Sequence, residues 1–327
     1  MNLKSKLKKV FIVAEIGNNH EGKFETALNL IDQACIAGAD AVKFQTFKAE
    51  NFISSSEKQR FNKLKSFQLS YEEFEKIANY AKKKKIIFFS TPLDIESAFF
   101  LNKIQKLFKI ASGDNNFYEL IKVVSSFKKF TIISSGLANL KTLKKITDFV
   151  PENRLAFLHC VSSYPVDKEE INLLEIQKLK NEFPKIPIGY SDHSKDYLIP
   201  IYAVILGAQI IEKHFTLDKK FSNFRDHSLS ADPKEMRLIV NRIRELEIIL
   251  GKKKIYIKKS EQKNIQDLRR SFAVSEDLPK NHILKKNNLI FLRPGCGLTK
   301  KKLIIGKKLS KNLKSGMIIK SKHLKNN

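Results

Sequence analysis

The sequence predicts a closed (β/α)8 barrel, the TIM barrel, followed by a small β-rich module. Eight apolar, β-branched runs alternate with amphipathic stretches over most of the 327 residues. This alternation is typical of βα units on a parallel sheet. Eight repeats favour a closed barrel over an open doubly wound sheet, since the nucleotide motif GxGxxG of the open fold is absent after the first run. The predicted strands lie at residues 10–16, 40–46, 86–91, 107–112, 130–136, 154–161, 186–192 and 209–216.

The stretches between these runs have the apolar period of helices. They predict helices at residues 25–37, 71–84, 117–127, 140–150, 173–183, 197–206 and 233–250. We therefore expect the barrel to occupy residues 1–251 and the charged, weakly periodic segment 252–267 to be a linker. Residues 268–327 hold short β-like runs, including 302–309 and 317–320, broken by proline and glycine. A module this small is expected to pack on the barrel or on another subunit.

The formal net charge of +27, taken alone, would indicate nucleic acid or an anionic surface as partner. Only nine of the 61 basic residues are arginine, and the lysines are scattered over helix ends and loops. Nucleic-acid readers favour arginine and interleave aromatic residues for stacking. We therefore expect no nucleic-acid partner and interpret the lysines as a solvated surface. A positive field would also gather an anionic small substrate.

Targeting signals are weak. The start of the chain is basic and then apolar, but Glu15 interrupts the apolar stretch and no small-residue cleavage site follows. The longest uncharged stretch, 197–211, is too short for a membrane span. Three widely spaced cysteines without a CxxC pattern fit a reducing compartment. The sequence thus predicts a cytoplasmic protein with no membrane partner.

Polar residues follow the predicted strands, and a parallel barrel brings the carboxyl ends of its strands to one opening. Interior lysines are costly unless an anion pairs with them, so two such lysines with several hydroxyls indicate a site for phosphate and carboxylate. Two histidines on adjacent strands, His193 and His214, indicate one metal site. The strand-end residues are Glu15, Asn18, His20, Lys43, Gln45, Thr91, Lys109, Ser112, Asp114, Ser134, Ser135, His159, Tyr164, Ser191, Asp192, His193 and His214, with Asp226 and His227 in the loop beyond.

Each of these residues also has a purely structural interpretation. A single histidine at a strand end is more often a hydrogen-bonded packing residue than a ligand. Glu15 could meet a helix N-terminus, and Ser134 with Ser135 could form only a turn. Their convergence on one rim is what favours a functional site.

Several strings in the chain resemble the phosphoenolpyruvate-dependent sialic acid synthase family, which also makes legionaminic and pseudaminic acids. They are AEIGNNHEG, DAVKFQT, STP, KIASGD, HCVSSYP, IGYSDH and EKHFT. The tail, with RRSFAV, FLRPGCG and IGKKLSKNLKSG, is similar to the antifreeze-like (SAF) domain that closes these enzymes. Short strings such as STP are weak evidence, whereas AEIGxNH, KFQT, SDH and EKHFT in this order are highly specific.

The resemblance implies condensation of phosphoenolpyruvate with the open-chain aldehyde of an N-acetylated hexosamine. The sugar would be N-acetylmannosamine or a diacetamido hexose, and phosphate would be released. It also implies that His193 and His214 bind a divalent metal, commonly Mn²⁺. Two imidazoles alone would suit softer ions at least as well, so the choice of manganese depends on the resemblance.

For this reaction we hypothesise that Glu15 directs or deprotonates the attacking water and that Asp226 exchanges a proton at the sugar. The resemblance itself assigns binding roles to individual residues. Arg293 would be lent to a neighbour's site across a domain-swapped homodimer. Positions that hold phosphoenolpyruvate match Lys43, Thr91, Lys109, Ser112, Ser134 and Ser191, and positions that hold the sugar match Gln45, Tyr164 and Asp226.

The chain departs from the family pattern at two positions. Asp114 stands where sialic acid synthases often have a glutamate on the sugar, and Ser162 stands where an asparagine can contact phosphoenolpyruvate. The shorter acid changes the reach toward the sugar, while Ser162 can still donate a hydrogen bond to an anion.

Two other functions remain open at this stage. An octulosonate phosphate synthase would also condense phosphoenolpyruvate in a barrel, but it would not need the C-terminal module. A basic protein that binds glycan or nucleic acid without turnover would show salt-sensitive binding and no phosphate release.

Overall fold

The computed structural model describes residues 7–325 and contains an eight-stranded parallel sheet. Its hydrogen-bonded order is β3-β2-β1-β8-β7-β6-β5-β4, so the first and last strands pair, and β3 and β4 at the two ends of this order are neighbours. The predicted (β/α)8 barrel is therefore confirmed. The strands are β1 (Phe11–Gly17), β2 (Ala41–Thr46), β3 (Ile87–Pro92), β4 (Leu107–Ile110), β5 (Phe130–Ser134), β6 (Leu155–Cys160), β7 (Ile188–Asp192) and β8 (Ile210–His214).

Helices connect successive strands, and two further helices follow β8. They are α1 (Phe24–Ala37), α2 (Ala49–Phe52), α3 (Lys58–Phe67), α4 (Tyr71–Lys83), α5 (Ile95–Ile104), α6 (Tyr118–Ser126), α7 (Leu140–Thr147), α8 (Leu174–Glu182), α9 (Ile199–Ile205), α10 (Arg225–Leu229) and α11 (Pro233–Leu250). Four of these, α2, α3, α5 and α10, were not among the predicted helices. For α5 a signal was present, since Asp94 precedes it and its Oδ1 accepts a hydrogen bond from Ser97 N at 2.7 Å.

Helix α4 shows why these segments fold as they do. Ser70 Oγ accepts a hydrogen bond from Glu73 N at 3.2 Å, while Glu73 Oε2 accepts one from Ser70 N at 2.7 Å. This capping box satisfies two backbone donors that the first turn leaves unpaired. Phe74, Ile77 and Ala81, at helical spacing, are buried against the sheet layer.

The strands separate two apolar cores. Phe11, Val13, Phe89, Ile132 and Leu158 belong to a cluster built almost entirely from strand residues, which fills the barrel interior. The alternate strand positions join a larger cluster with the helices. Because side chains alternate along a strand, the next interior position after Val13 is Glu15 and the next after Ile132 is Ser134. The interior is thus apolar at its floor and polar at its carboxyl-end mouth.

A second compact unit begins at Lys252. It contains short helices α12 (Lys259–Gln262) and α13 (Ile265–Leu268) within and just after the predicted linker. The antiparallel pair β9 (Ser271–Val274) and β10 (Leu289–Leu292) follows. Its core includes Phe272, Leu284, Ile304, Leu309 and Ile319.

The prediction of β-like structure over 302–309 was largely wrong. Lys301–Leu303 forms a 3₁₀ turn, and Gly306 adopts a φ of 83°, a left-handed conformation that interrupts a strand. Only isolated bridges remain there, and the run at 317–320 makes a single bridge between Ile318 and Ala273. Ile304, Leu309 and Ile319 from these runs still enter the core of the unit.

Within residues 7–325, no helix combines the length and the apolar character that crossing a membrane requires.

Candidate active site

Lys43 lies at the centre of one half of the barrel mouth. Its Nζ lies 3.1 Å from Glu15 Oε2 and 3.4 Å from Glu212 Oε1, and it donates to Thr91 Oγ1 at 3.3 Å. Gln45 Nε2 donates to Glu15 Oε1 at 3.1 Å. These side chains come from β1, β2, β3 and β8, so the structure brings four of the predicted residues together.

Lys109 occupies the other half of the mouth. Its Nζ donates to Ser134 Oγ at 2.6 Å and lies 3.8 Å from Glu212 Oε1. Ser191 Oγ donates to the same Glu212 oxygen at 3.0 Å. Glu212 therefore links the two lysines, which places both halves of the mouth in one polar network.

Sequence reasoning missed Glu212. The sequence predicted an anionic substrate as the partner of both lysines. In the structure, Glu15 and Glu212 already provide negative charge beside them. The signal was present, because Glu212 stands two residues before His214 and strand alternation puts both on the interior face.

The two carboxyl groups have opposite pKa shifts. Burial raises the pKa of Glu15 to about 7, although Lys43 opposes this effect. Glu212 is also buried, but Lys109 and Lys43 overcome that cost and lower its pKa. Neighbouring groups with diverging pKa values are the arrangement in which one can exchange a proton and the other serves as a fixed counter-charge.

His193 and His214 lie side by side at the mouth, with ring centroids 5.4 Å apart. His193 Nδ1 donates to the carbonyl oxygen of Val161 at 2.8 Å. Since a carbonyl only accepts, Nδ1 carries a proton, and in the neutral ring Nε2 can accept or bind a metal. Tyr164 packs against both rings, and its ring centroid lies 4.0 Å from that of His193 and 6.0 Å from that of His214.

The residues present fit a bound divalent metal. Burial lowers the pKa of His214 well below its usual range, so the ring is neutral as a metal ligand must be. Its buried Nδ1 has no hydrogen-bond partner among residues 7–325. In the same part of the chain no cluster of three or more His, Cys, Asp or Glu side chains is arranged as a metal site. The two imidazoles would therefore leave the remaining coordination positions to water or substrate.

Three residues from the loops after β4, β5 and β6 converge with one another. A Cβ atom added to Gly136 would lie 2.4 Å from Ser162 Oγ and 2.7 Å from Ser112 Oγ, so a larger residue here would displace these hydroxyls. Asn115 Nδ2 fixes the loop by donating to Gly136 O at 2.7 Å. The buried Ser162 Oγ has no partner within residues 7–325. These hydroxyls form a place for an additional hydrogen-bond acceptor.

Asp226 lies on α10 and is buried, and burial raises its pKa against the opposing effect of Arg225. Arg225 Nε donates to Asp226 Oδ1 at 3.2 Å, and the Arg225 guanidinium lies 4.8 Å from the centroid of the Tyr164 ring. These contacts connect Asp226 to the histidine pair. Arg293 is different, because it lies in the second unit, where it is exposed and its Nε donates to Leu268 O at 2.9 Å.

Two of the strand-end residues that were candidates for the site, His159 and Asp192, have structural contacts instead. His159 Nε2 donates to Ile171 O at 2.7 Å, and Asp192 pairs with Lys213. Both occupy positions that alternate with interior residues, so they face the helix layer and not the mouth.

The carboxyl group of Asp114 is partly buried, and the effect of this burial on stability can be tested by changing the pH. The residue lies in a 3₁₀ turn after β4, and burial raises its pKa to about 6 while Lys109 opposes the shift. Its ionised form therefore destabilises the folded state above pH 6, and the penalty vanishes below the unfolded pKa near 4. We expect Asp114→Asn to be more stable than the unchanged protein by about 1–3 kcal/mol at pH 8 and equal to it at pH 4. Urea unfolding across this range would measure the difference, and a pH-independent difference would contradict the burial of an ionised carboxylate.

The fold and the site together define the class of protein to which this chain belongs. An eight-stranded parallel barrel with buried lysines, carboxyls and an imidazole pair at its carboxyl-end mouth is a barrel enzyme equipped for an anionic substrate. Residues 30–255 match the NeuB family model, and residues 269–325 match the SAF domain. The chain belongs to the NeuB family.

Relatives agree with this assignment. N,N'-diacetyllegionaminic acid synthase of Campylobacter jejuni is 37% identical, over 96% of this chain and 99% of that protein. Pseudaminic acid synthase of the same species is 36% identical, over 96% of each chain. The crystal structure of N-acetylneuraminic acid synthetase from Leptospira borgpetersenii, in complex with citrate, has a TM-score of 0.75 and 37% identity, covering 79% of this chain and 91% of that one. The resemblance to nonulosonic acid synthases, and the prediction of an enzyme, are confirmed.

Proposed function

We propose that this enzyme condenses phosphoenolpyruvate with the open-chain aldehyde of an N-acetylated hexosamine and water. The products are a sialic-acid-like nine-carbon acid and phosphate. The observation that supports this most strongly is the convergence of two buried lysines and the His193–His214 pair on one mouth. The relatives named as legionaminic and pseudaminic acid synthases support the same reaction class.

The anionic ends of phosphoenolpyruvate bind across the two halves of the mouth. Lys43 with Thr91 receives one end, and Lys109 with Ser134 receives the other. Ser112, Ser162 and Ser191 supply further hydroxyl donors around them. Charge-assisted hydrogen bonds of this kind are the strong ones in proteins, and they orient the enol carbon toward the sugar.

The sugar lies against Gln45, Asp114, Tyr164 and Asp226 in this proposal. The enol carbon of phosphoenolpyruvate attacks the aldehyde carbon, and positive charge develops at the carbon that carries the phosphate. Water adds at that carbon, directed or deprotonated by Glu15. The tetrahedral intermediate then breaks its carbon–oxygen bond and releases phosphate, while Asp226 exchanges a proton at the sugar.

We further propose that His193 and His214 hold a divalent metal, with Mn²⁺ as the ion. A bound divalent cation supplies Lewis-acid stabilisation of the negative charge that develops on the aldehyde oxygen. His193, through its Nδ1 bond to Val161 O, and His214, through its neutral ring, are both prepared to coordinate.

The test is phosphate release with Mn²⁺, phosphoenolpyruvate and a panel of N-acetylated and diacetamido hexoses. We expect release only when phosphoenolpyruvate and a matching sugar are both present. Release that requires a sugar phosphate would instead favour an octulosonate phosphate synthase. Salt-sensitive glycan or nucleic-acid binding without any release would contradict an enzyme.

Arg293 provides a separate prediction about the SAF domain. We propose that the enzyme is a domain-swapped homodimer in which this exposed side chain reaches the neighbouring sugar site. Arg293→Ala should then raise the KM for the sugar at least 10-fold while changing the KM for phosphoenolpyruvate much less, because a buried charged hydrogen bond contributes about 1.5–3 kcal/mol. Steady-state kinetics with each substrate varied would measure this. Equal effects on both KM values would contradict the assignment.

Finally, we place the enzyme in the cytoplasm. Cys35, Cys160 and Cys296 are all free thiols, as expected for a reducing compartment.

A further inference from the structure

A buried ion pair lies on the side of the barrel wall that faces the helices. Lys213 Nζ contacts Asp192 Oδ2 at 2.7 Å, and both side chains are almost fully buried, with exposed fractions of 2% and 0%. The two residues are direct partners across the β7–β8 ladder. The contact therefore ties the carboxyl ends of these two strands to each other.

Ser194 is held in the same cluster. Asp192 Oδ1 accepts hydrogen bonds from Ser194 N at 2.9 Å and from Tyr190 Oη at 3.0 Å, and Asp192 Oδ2 accepts one from Ser194 Oγ at 3.1 Å. Lys213 Nζ also donates to the carbonyl oxygen of Ser194. We call Tyr190, Asp192, Ser194 and Lys213 the strand-end clamp.

Fold stability alone does not explain why an ion pair occupies these positions. Most other strand residues that face the helices are apolar, including Phe44, Ile133 and Phe157. Replacing a buried ion pair with apolar residues of similar volume is often neutral or stabilising, because desolvation cancels much of the attraction. The value of such a pair is better explained by the specific geometry that it imposes.

The clamp brackets the imidazole pair in the sequence. Asp192 directly precedes His193, Ser194 directly follows it, and Lys213 directly precedes His214. Strand alternation turns the clamp side chains toward the helices and the two imidazoles toward the mouth. The backbone on both sides of His193 is thus fixed to the residue that precedes His214.

We propose that the strand-end clamp positions His193 relative to His214 so that one metal ion can bind both. This inference rests on the metal site of the proposed function and assigns Asp192 and Lys213 as positioning residues. Loss of the outer residues that orient metal ligands typically weakens metal binding about 10- to 100-fold. The clamp side chains face the helices and not the mouth, so we expect their effect to be on the metal and not on phosphoenolpyruvate.

The experiment measures the Mn²⁺ dissociation constant by electron paramagnetic resonance of free Mn²⁺, with no substrate present. The test variant is D192N/K213M, which retains the side-chain volumes and removes the charges. We expect it to melt close to the unchanged protein, to bind Mn²⁺ at least about 10-fold more weakly and to show a matching rise in the Mn²⁺ concentration needed for activity. Its KM for phosphoenolpyruvate at saturating Mn²⁺ should change less than about 3-fold, since a merely destabilised barrel would affect both.

The matched control is D40N/R244M, which removes another ion pair, with an N–O distance of 2.6 Å, beside the amino end of β2. Its Mn²⁺ affinity should be unchanged. A second variant, Y190F/S194A, removes two donors to Asp192 while it retains the ion pair, and it should weaken Mn²⁺ binding by a smaller factor. If D192N/K213M fails to fold, Y190F/S194A decides the question.

Unchanged Mn²⁺ affinity in a folded clamp variant would overturn the clamp and leave the proposed function intact. Equal weakening in D40N/R244M would also overturn it. If the unchanged protein binds no Mn²⁺, the metal part of the proposed function fails and the clamp fails with it.

Discussion

Replacing His214 with alanine is expected to abolish Mn²⁺-dependent turnover while leaving the barrel folded. The ring is neutral and buried, and its centroid lies 5.4 Å from the centroid of the His193 ring. The described residues provide no third protein ligand to compensate for its loss. Removal of half of the protein ligands should therefore eliminate measurable metal binding. Mn²⁺ titration and phosphate release would measure the two effects, and the melting temperature would report the fold.

His159→Gln is the matched control. This histidine is also buried, but it lies on the outer face of the barrel wall and bonds to Ile171 O. Its replacement should leave metal binding unchanged. If His214→Ala retained stoichiometric Mn²⁺ and full activity, the ligand role of His214 would be refuted.

The second large effect is expected at Glu15. Glu15→Gln retains the shape of the side chain and can still accept a hydrogen bond from either Gln45 or Lys43, but not from both, and its amide cannot accept a proton. Since a positioned acid or base typically contributes 10²- to 10⁴-fold, we expect kcat to fall by about that factor. The KM for phosphoenolpyruvate should change only a few-fold, because Lys43 still has Glu212 at 3.4 Å as a counter-charge.

Steady-state kinetics of Glu15→Gln alongside Glu182→Gln would test this. Glu182 pairs with Lys178 and Lys144 on the helical surface and should be silent. A Glu15→Gln enzyme that retained more than a tenth of the kcat would show that Glu15 only organises the lysines.

Strand periodicity was sufficient to predict the barrel and much of its mouth. Apolar runs identified all eight strands to within a few residues, since a strand buried on both faces is a nearly continuous apolar run. Strand alternation puts Lys43 and Gln45 on one face of β2, and both contact Glu15 in the structure. The same rule, applied consistently, would have found Glu212 and would have assigned His159 and Asp192 to the outer face.

Other features depend on contacts that a single sequence does not display. The Asp192–Lys213 pair requires the register of β7 on β8, and that register is set by packing of the whole sheet. The 3₁₀ turn at Ser112–Asp114 ended β4 two residues before the predicted limit. In the SAF domain, Ile304 and Leu309 enter the core from turns while Leu303 and Ile305 are exposed, so hydrophobicity predicted neither strand structure nor every buried side chain.

The central claim is a condensation in which carbon–oxygen cleavage releases phosphate. The most direct test is a reaction in ¹⁸O-labelled water, with the isotope content of the phosphate measured by ³¹P nuclear magnetic resonance and the sugar product identified by mass. We predict unlabelled phosphate, formed in equal amounts with a nine-carbon acid and only when the hexosamine is present. Labelled phosphate, or phosphate released without sugar, would mean hydrolysis at phosphorus and would contradict the synthase.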